Sequence, residues 1–262
     1  MRSVLEGLKA RLIHPAARGI DIDAPDSNLI FSRILKKNVF LRRIYQQWYS
    51  EISDALPLDV EGPVLELGSG AGFFKEHLPG LITSEILRVS SVDIVLDGQY
   101  LPFENSSLRG IVMVDVFHHI PGVKLFLAEA ERCLKPGGVI VMVEPWCTGW
   151  SRFVYRYIHY EPFCPDAENW HFPSGGPLSS ANSALPWIVF DRDVNIFKKE
   201  FSFLTIESIS LHTPFAYLLS RGVTMRSLVP ATLFDVCRKF ENKFSPLMGS
   251  LAMFATIVLK RT

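Results

Sequence analysis

The stretch Val64-Leu-Glu-Leu-Gly-Ser-Gly-Ala-Gly-Phe-Phe74 decides how the rest of the chain is read. Residues 64–67 form a short apolar run with one acid, Glu66, the pattern of a buried parallel strand. Three glycines follow at alternate positions, Gly68, Gly70 and Gly72. Glycine accepts positive φ and lets a ligand lie against the backbone with no Cβ in the way. A helix is expected to begin near Ala71, aiming its free N–H groups into the same crevice. Strand, glycine turn and helix start together describe the nucleoside-binding corner of a doubly wound sheet.

The order acid-x-Gly-x-Gly-x-Gly, here Glu66-Leu-Gly68-Ser-Gly70-Ala-Gly72, resembles the first motif of class I S-adenosylmethionine-dependent methyltransferases. A dinucleotide fingerprint needs a glycine at position 73, where this chain has Phe73. The spacing therefore favours S-adenosylmethionine over NAD, with Ser69 and Phe73 as further residues of the cofactor corner.

The downstream segments agree. Residues 81–86 read as a second strand, with Glu85 near its C-terminal end, 19 residues after Glu66. Nucleotide-binding sheets place a ribose-binding acid at about that distance, and a carboxylate accepts from both ribose hydroxyls at once. Asp93 is the reserve for that role. Residues 92–96 are a third strand, and Asp97-Gly98 follows it. By the resemblance Asp97 meets the adenine amino group, and Leu101-Pro-Phe103 matches the loop after it. Residues 110–116 are a fourth strand whose exit places Asp115, Val116, His118 and His119 along the ligand crevice. An amphipathic helix over 123–134, the turn Lys135-Pro-Gly-Gly138 and a fifth strand over 139–143 again match these methyltransferases. Glu144, Pro145 and Trp146 then leave the sheet on its ligand side.

The flanks are less diagnostic. Residues 1–57 read as a helical cover, with Val4, Leu5, Leu8 and Leu12 at helical spacing and a longer helical stretch over 28–56. Its Tyr45, Trp48 and Tyr49 are available either to pack on the sheet or to cover the cofactor's methionine end. The cofactor core spans 58–145. Residues 146–200 lose periodicity but carry Trp150, Tyr155, Tyr157, His159, Phe163, Trp170 and His171, and read as an insertion over the crevice, a substrate lid. Within it, Trp146, Tyr155, His159 and His171 are the candidate substrate contacts. Residues 201–262 supply the last two strands, 204–211 and 252–259, around an apolar, partly helical connection. The whole is expected to be one α/β domain. By the resemblance it has a Rossmann-like, seven-stranded, mostly parallel sheet in the order 3-2-1-4-5-7-6, strand 7 antiparallel, with helices on both faces.

Composition narrows the chemistry. At 262 residues and 48% hydrophobic content the chain can bury a core without disulfides. Lys plus Arg balances Asp plus Glu at 27 each, so no overall field recruits nucleic acid. No Asn-Pro-Pro-Tyr or Asp-Pro-Pro-Tyr motif of the nucleic-acid-modifying relatives occurs. Cys133, Cys147, Cys164 and Cys237 form no C-x-x-C pair, so neither a metal site nor a disulfide framework is expected and a reducing cytoplasm fits. No signal peptide is expected at the N-terminus. The uncharged run 244–259 holds Pro246 and Gly249 and suits a buried strand better than a membrane span. The mean hydropathy of +0.19 nevertheless makes residues 215–259 a candidate for peripheral membrane contact.

The resemblance, closest to the methyltransferase type 11 group, implies methyl transfer to a small or lipid-like molecule at oxygen or carbon. His119 and Glu144 are the candidate proton-handling residues by position at strand exits. The alternative is a regulatory module that binds S-adenosylmethionine without transferring a methyl group. Substrate and oligomeric state are open.

Overall fold

A computed structural model describes residues 14–159, 161–173, 175–225, 227 and 229–262. The helix expected within residues 1–13 lies outside the described residues. The described residues form one sheet of seven strands: β1 Val64–Leu67, β2 Ile82–Glu85, β3 Ile94–Val95, β4 Leu108–Val114, β5 Leu134–Pro145, β6 Leu204–His212 and β7 Phe254–Arg261. Their order is β3-β2-β1-β4-β5-β7-β6. β1 pairs in parallel with β2 and β4, as do β2 with β3 and β4 with β5; β7 runs antiparallel to both β5 and β6. This is the Rossmann-like, mostly parallel sheet expected from the sequence, in the same strand order and with strand 7 antiparallel.

Strand alternation builds two cores. Leu65, Leu67, Ile111, Met113, Ile140, Met142, Ile257 and Leu259 face one side, where helix α3 (Val123–Cys133) and residues 184–197 cover them. Val64, Val112, Val139, Val141, Val143 and Val258 face the other. There α1 (Asp26–Lys37), α2 (Val39–Asp54) and α4 (Gly149–Tyr157) close the layer. A side-chain period of two, buried on both faces, is what a central strand in a three-layer sheet requires.

The single helical stretch expected over 28–56 is two helices. Asn38 ends α1 and its side chain accepts from the Leu41 N–H at 3.1 Å, so one residue stops a helix and caps the next. Phe40, Leu41, Ile44, Trp48 and Ile52 then present one apolar stripe to the sheet. At α4, Thr148 and Ser151 form a reciprocal capping box.

A second correction bears on the site. The helix expected from Ala71 does not form: only a 3₁₀ turn, Phe74–Glu76, follows the glycines. Pro79 disfavours helical backbone at the residue before it, leaving too few residues to nucleate a helix. Phe73 and Phe74 instead pack against Tyr49, with ring centroids 5.1 and 4.4 Å away. The corner therefore gains no help from a helix dipole.

Residues 146–200 are more than a cover. Leu185, Ile188, Val189, Phe190 and Phe197 belong to the α3-side core. Among the described residues of this segment, Val154, Ile158, His159, Glu161, Pro177 and Leu178 reach the cavities described below. Among the described residues no helix is long and apolar enough to cross a membrane.

Candidate functional site: a cofactor corner and a buried charged cluster

The cleft opens at the C-terminal ends of β1, β2 and β4, with a volume of about 1150 Å³ including space open to solvent. Its floor is the glycine turn. Gly70 sits at φ +46°, a conformation that costs an L-residue roughly 1–2 kcal/mol. At Gly72 a Cβ would stand 2.6 Å from the Tyr49 hydroxyl, so helix α2 can approach only because that position has no side chain.

Two buried acids hold the turn. The Ser69 hydroxyl donates to Glu66 Oε2 at 2.7 Å, and the Ser84 N–H donates to Ser69 Oγ at 3.2 Å. Glu85 accepts from the Gly70 N–H at 3.0 Å and from the Ile86 N–H at 2.9 Å, which points its carboxylate along the cleft wall. Burial pushes Glu66 up to about 7, against the Ser69 bond and assisted by the Glu85 charge. Burial likewise raises Glu85, with the Ile86 and Gly70 bonds opposing. Across the cleft, Asp97 caps its own loop by accepting from the Gln99 N–H at 2.9 Å.

The far wall begins at Asp115, which has φ +63° although it is not glycine. Strain of this kind persists where surrounding structure enforces it, commonly at functional sites. Its N–H donates to Val143 O at 2.9 Å, fixing the β4 exit beside that of β5. Burial, opposed by His118 and assisted by Glu161 and Glu144, raises the Asp115 carboxyl to about 7.

Behind Asp115 lies a compact charged cluster. Glu144, fully buried, accepts from the Val116 and Phe117 N–H groups at 2.8 and 2.7 Å and from His118 Nδ1 at 2.7 Å. His118 Nε2 stands 3.4 Å from Glu161 Oε2, and His119 Nε2 is 4.0 Å from Glu161 Oε1. Burial alone would lower His118, but its contacts with Glu144 and Glu161 hold it well above the usual imidazole range. Burial and the neighbouring His118 lower His119 to about 4. Glu161 is held below the usual carboxylate range: burial opposes this, and His118 overrides it.

The expected cofactor residues Glu66, Gly68, Ser69, Gly70, Gly72, Glu85, Asp97, Gly98, Asp115 and Val116 all line the cleft. Phe73 and His118 do not: the first packs on Tyr49, and the second is sealed behind the wall. His119 borders the cleft, whereas Glu144 lies wholly beneath it. Of the substrate candidates, His159 lines a second cavity of about 920 Å³. Trp146 belongs to the α3-side core, Tyr155 donates to Met253 O at 2.9 Å, and the exposed His171 has Nδ1 2.9 Å from Pro121 O. Asn28, Phe31, Pro177, Leu178 and Glu161 are lining residues that sequence reasoning missed. The first two sit on a helix far upstream of the motif, and no local pattern marks them.

The corner fits S-adenosylmethionine. Buried Asn28 stands beside Glu85, so an amide donor and a carboxylate acceptor meet on the cleft wall, a pairing that suits ribose hydroxyls. Glu85, Asn28 and Asp97 are the groups that would hold the nucleoside, and the glycine turn would lie against it.

Residues 65–142 match the family described as "Methyltransferase domain". No curated protein matches the chain in sequence. Among solved structures, geranyl diphosphate C-methyltransferase from Streptomyces coelicolor is similar at 14% identity and a TM-score of 0.47, covering 96% of this chain and 89% of that one. The YcgJ protein of Bacillus subtilis is similar at 14% identity and a TM-score of 0.48, covering 83% and 99%. Residues 65–142 are thus similar to a methyltransferase domain, and they carry the acid–glycine corner and the central strands of a sheet in the order expected from the sequence.

Proposed function

We propose that the protein transfers a methyl group from S-adenosylmethionine to a small, mostly apolar acceptor at oxygen or carbon. The observation that carries this reading is the meeting of two cavities: Tyr45, Asp115 and Val223 line both the cofactor cleft and the second cavity. The second cavity is walled by Val154, Ile158, Leu218, Met225 and Met253, with Asp115, His159, Glu161, Arg221 and Thr224 among its polar points. Apolar walls with a few convergent polar groups suit a small organic molecule.

S-adenosylmethionine supplies a methyl group on a sulfonium, already activated for transfer. The protein's tasks are to align the acceptor and exclude water. Half-buried Tyr45 and buried Tyr49, both on α2, line the cleft. We assign contact with the acceptor to His119, which reaches the cleft, and treat Glu144 as a positioning residue that orients His118 and the β4 exit.

Calorimetric titration with S-adenosylmethionine, its demethylated product and NADH tests the cofactor half of the reading. Binding of both sulfur ligands and not of NADH is expected. A screen of hydroxylated apolar acceptors with isotopically labelled methyl donor tests the rest. Absence of binding by either sulfur ligand in the folded protein would sink the proposal.

A further inference from the structure

The charged cluster gathers two imidazoles and two carboxylates in one buried space. His119 Nδ1 lies 2.9 Å from the Ser180 carbonyl oxygen, which can only accept, so that nitrogen carries the hydrogen and Nε2 presents a lone pair. His118 Nδ1 lies 2.7 Å from Glu144 Oε2, so it too carries the hydrogen and turns its Nε2 lone pair the other way. Both Nε2 atoms face the carboxylate of Glu161, at 3.4 and 4.0 Å. One donor atom from each of His118, His119 and Glu161 lies within 4.8 Å of the other two.

Two imidazole nitrogens and a carboxylate converging in a buried site call for a positive charge there, either a proton on His118 Nε2 or a cation that displaces it. A proton on His118 Nε2 is one answer, but it is a poor one geometrically. Nε2 is fully buried and makes no hydrogen bond despite its 3.4 Å approach to Glu161. A cation has no such directional demand. Ligands ~2.1 Å from a common ion stand roughly 3 to 3.5 Å apart; the 3.4 Å approach of His118 to Glu161 matches, and His119 at 4.0 Å needs only a small inward shift.

We propose that His118, His119 and Glu161 form a binding site for a first-row divalent transition cation. Two imidazoles and one carboxylate are the donor set of open catalytic zinc sites and of non-haem iron sites, and they disfavour magnesium, which takes oxygen ligands. The outer contacts fit as well. Metal-binding histidines ordinarily donate their other N–H to a carboxylate or a backbone carbonyl, as His118 does to Glu144 and His119 to Ser180. The site lies between the two cavities, since His119 borders the cofactor cleft and Glu161 the second cavity. If the second cavity holds the acceptor, as the proposed function has it, a cation here would favour an acceptor bearing an oxygen donor. No motif announced the site, because Glu161 joins the two histidines from a segment 42 residues downstream of His119.

The test is titration of chelator-treated protein with Co²⁺, Zn²⁺ and Mg²⁺, following heat and the visible spectrum of Co²⁺. One equivalent of Co²⁺ and of Zn²⁺ is expected to bind, and Mg²⁺ is not. Glu161→Gln and His119→Ala should each weaken binding by at least about 100-fold, and Glu144→Gln by about 10- to 100-fold. Circular dichroism melts establish that each variant is folded. Nitrogen NMR of the wild-type imidazoles, with and without Zn²⁺, gives a readout that needs no variant: His118 and His119 Nε2 should shift together. Failure of the folded wild type to bind up to millimolar metal would overturn the proposal. So would stoichiometric binding that moves neither imidazole, or that both variants retain. S-adenosylmethionine affinity is measured separately, so loss of the metal site leaves the cofactor reading standing, and the converse.

Discussion

The glycine corner lines one side of the cleft and the charged cluster lies behind the other, reaching it through His119, and the two are built in opposite ways. The corner is nearly contiguous: Glu66, Ser69, Gly70 and Glu85 come from two neighbouring strands and hold one another within 20 residues of chain. The cluster is assembled from the β4 exit, the end of β5 and the segment after α4, and its members meet only once the sheet has formed. A site made by local backbone leaves a pattern in the sequence. A site made by tertiary packing leaves scattered histidines and acids that resemble any others.

The sharpest way to break this contrast is to remove the keystone of the cluster. Glu144→Ala strands two backbone N–H groups and His118 in a dry environment, and should cost about 3–5 kcal/mol in urea unfolding. Glu144→Gln should cost clearly less. Equal, small losses would mean that the cluster is wetter and less cooperative than its burial indicates.

The corner makes a pH-dependent prediction of the next size. Glu66 rises from 4.5 unfolded to about 7 folded because it is buried, so the native state holds an extra proton between those values. Its contribution is fully present below pH 4.5 and is lost as pH rises through about 7, a fall of about 3 kcal/mol. Glu66→Gln should remove that slope in denaturant midpoints measured across the range. Parallel profiles for variant and wild type would place the Glu66 carboxylate in water.

Gly70→Val is next. At φ +46° a β-branched residue is strained, although the space is open, the nearest atom being Glu85 Oε2 at 3.6 Å. Affinity for the demethylated cofactor should fall by about 100-fold as the turn shifts away from Glu85. Unchanged affinity in a folded variant would contradict the role of the corner. Asp97→Ala is the gentlest cut. Binding should weaken about 5- to 10-fold, with the melting temperature of the ligand-free protein unchanged. An equal loss of thermal stability would assign Asp97 to its Gln99 loop contact alone.

The fold was legible because its signals are short-range. Each strand stands within a few residues of its apolar run, and the sheet order followed from a resemblance that four successive strand exits supported. What could not be read depends on partners distant in sequence. The helix after the corner yielded to Pro79 and to Tyr49, which is not adjacent to it in sequence. The aromatic segment 146–172 offered no means of separating Trp146 and Tyr155, which pack, from His159, which lines a cavity. Asn28 reaches Glu85 from a helix that closes over the corner only after the sheet exists.

The place of β7 carries a consequence for synthesis. This strand fills the gap between β5 and β6, yet it emerges more than a hundred residues after β5. During translation at about 5–20 residues per second, the twelve-residue β5 waits roughly ten seconds with one edge unpaired. Val139, Ile140, Val141, Met142 and Val143 make that edge apolar on both faces. The nascent chain is therefore most exposed to strand-mediated misassembly in this window, and a chaperone that covers an open strand edge would act on it there.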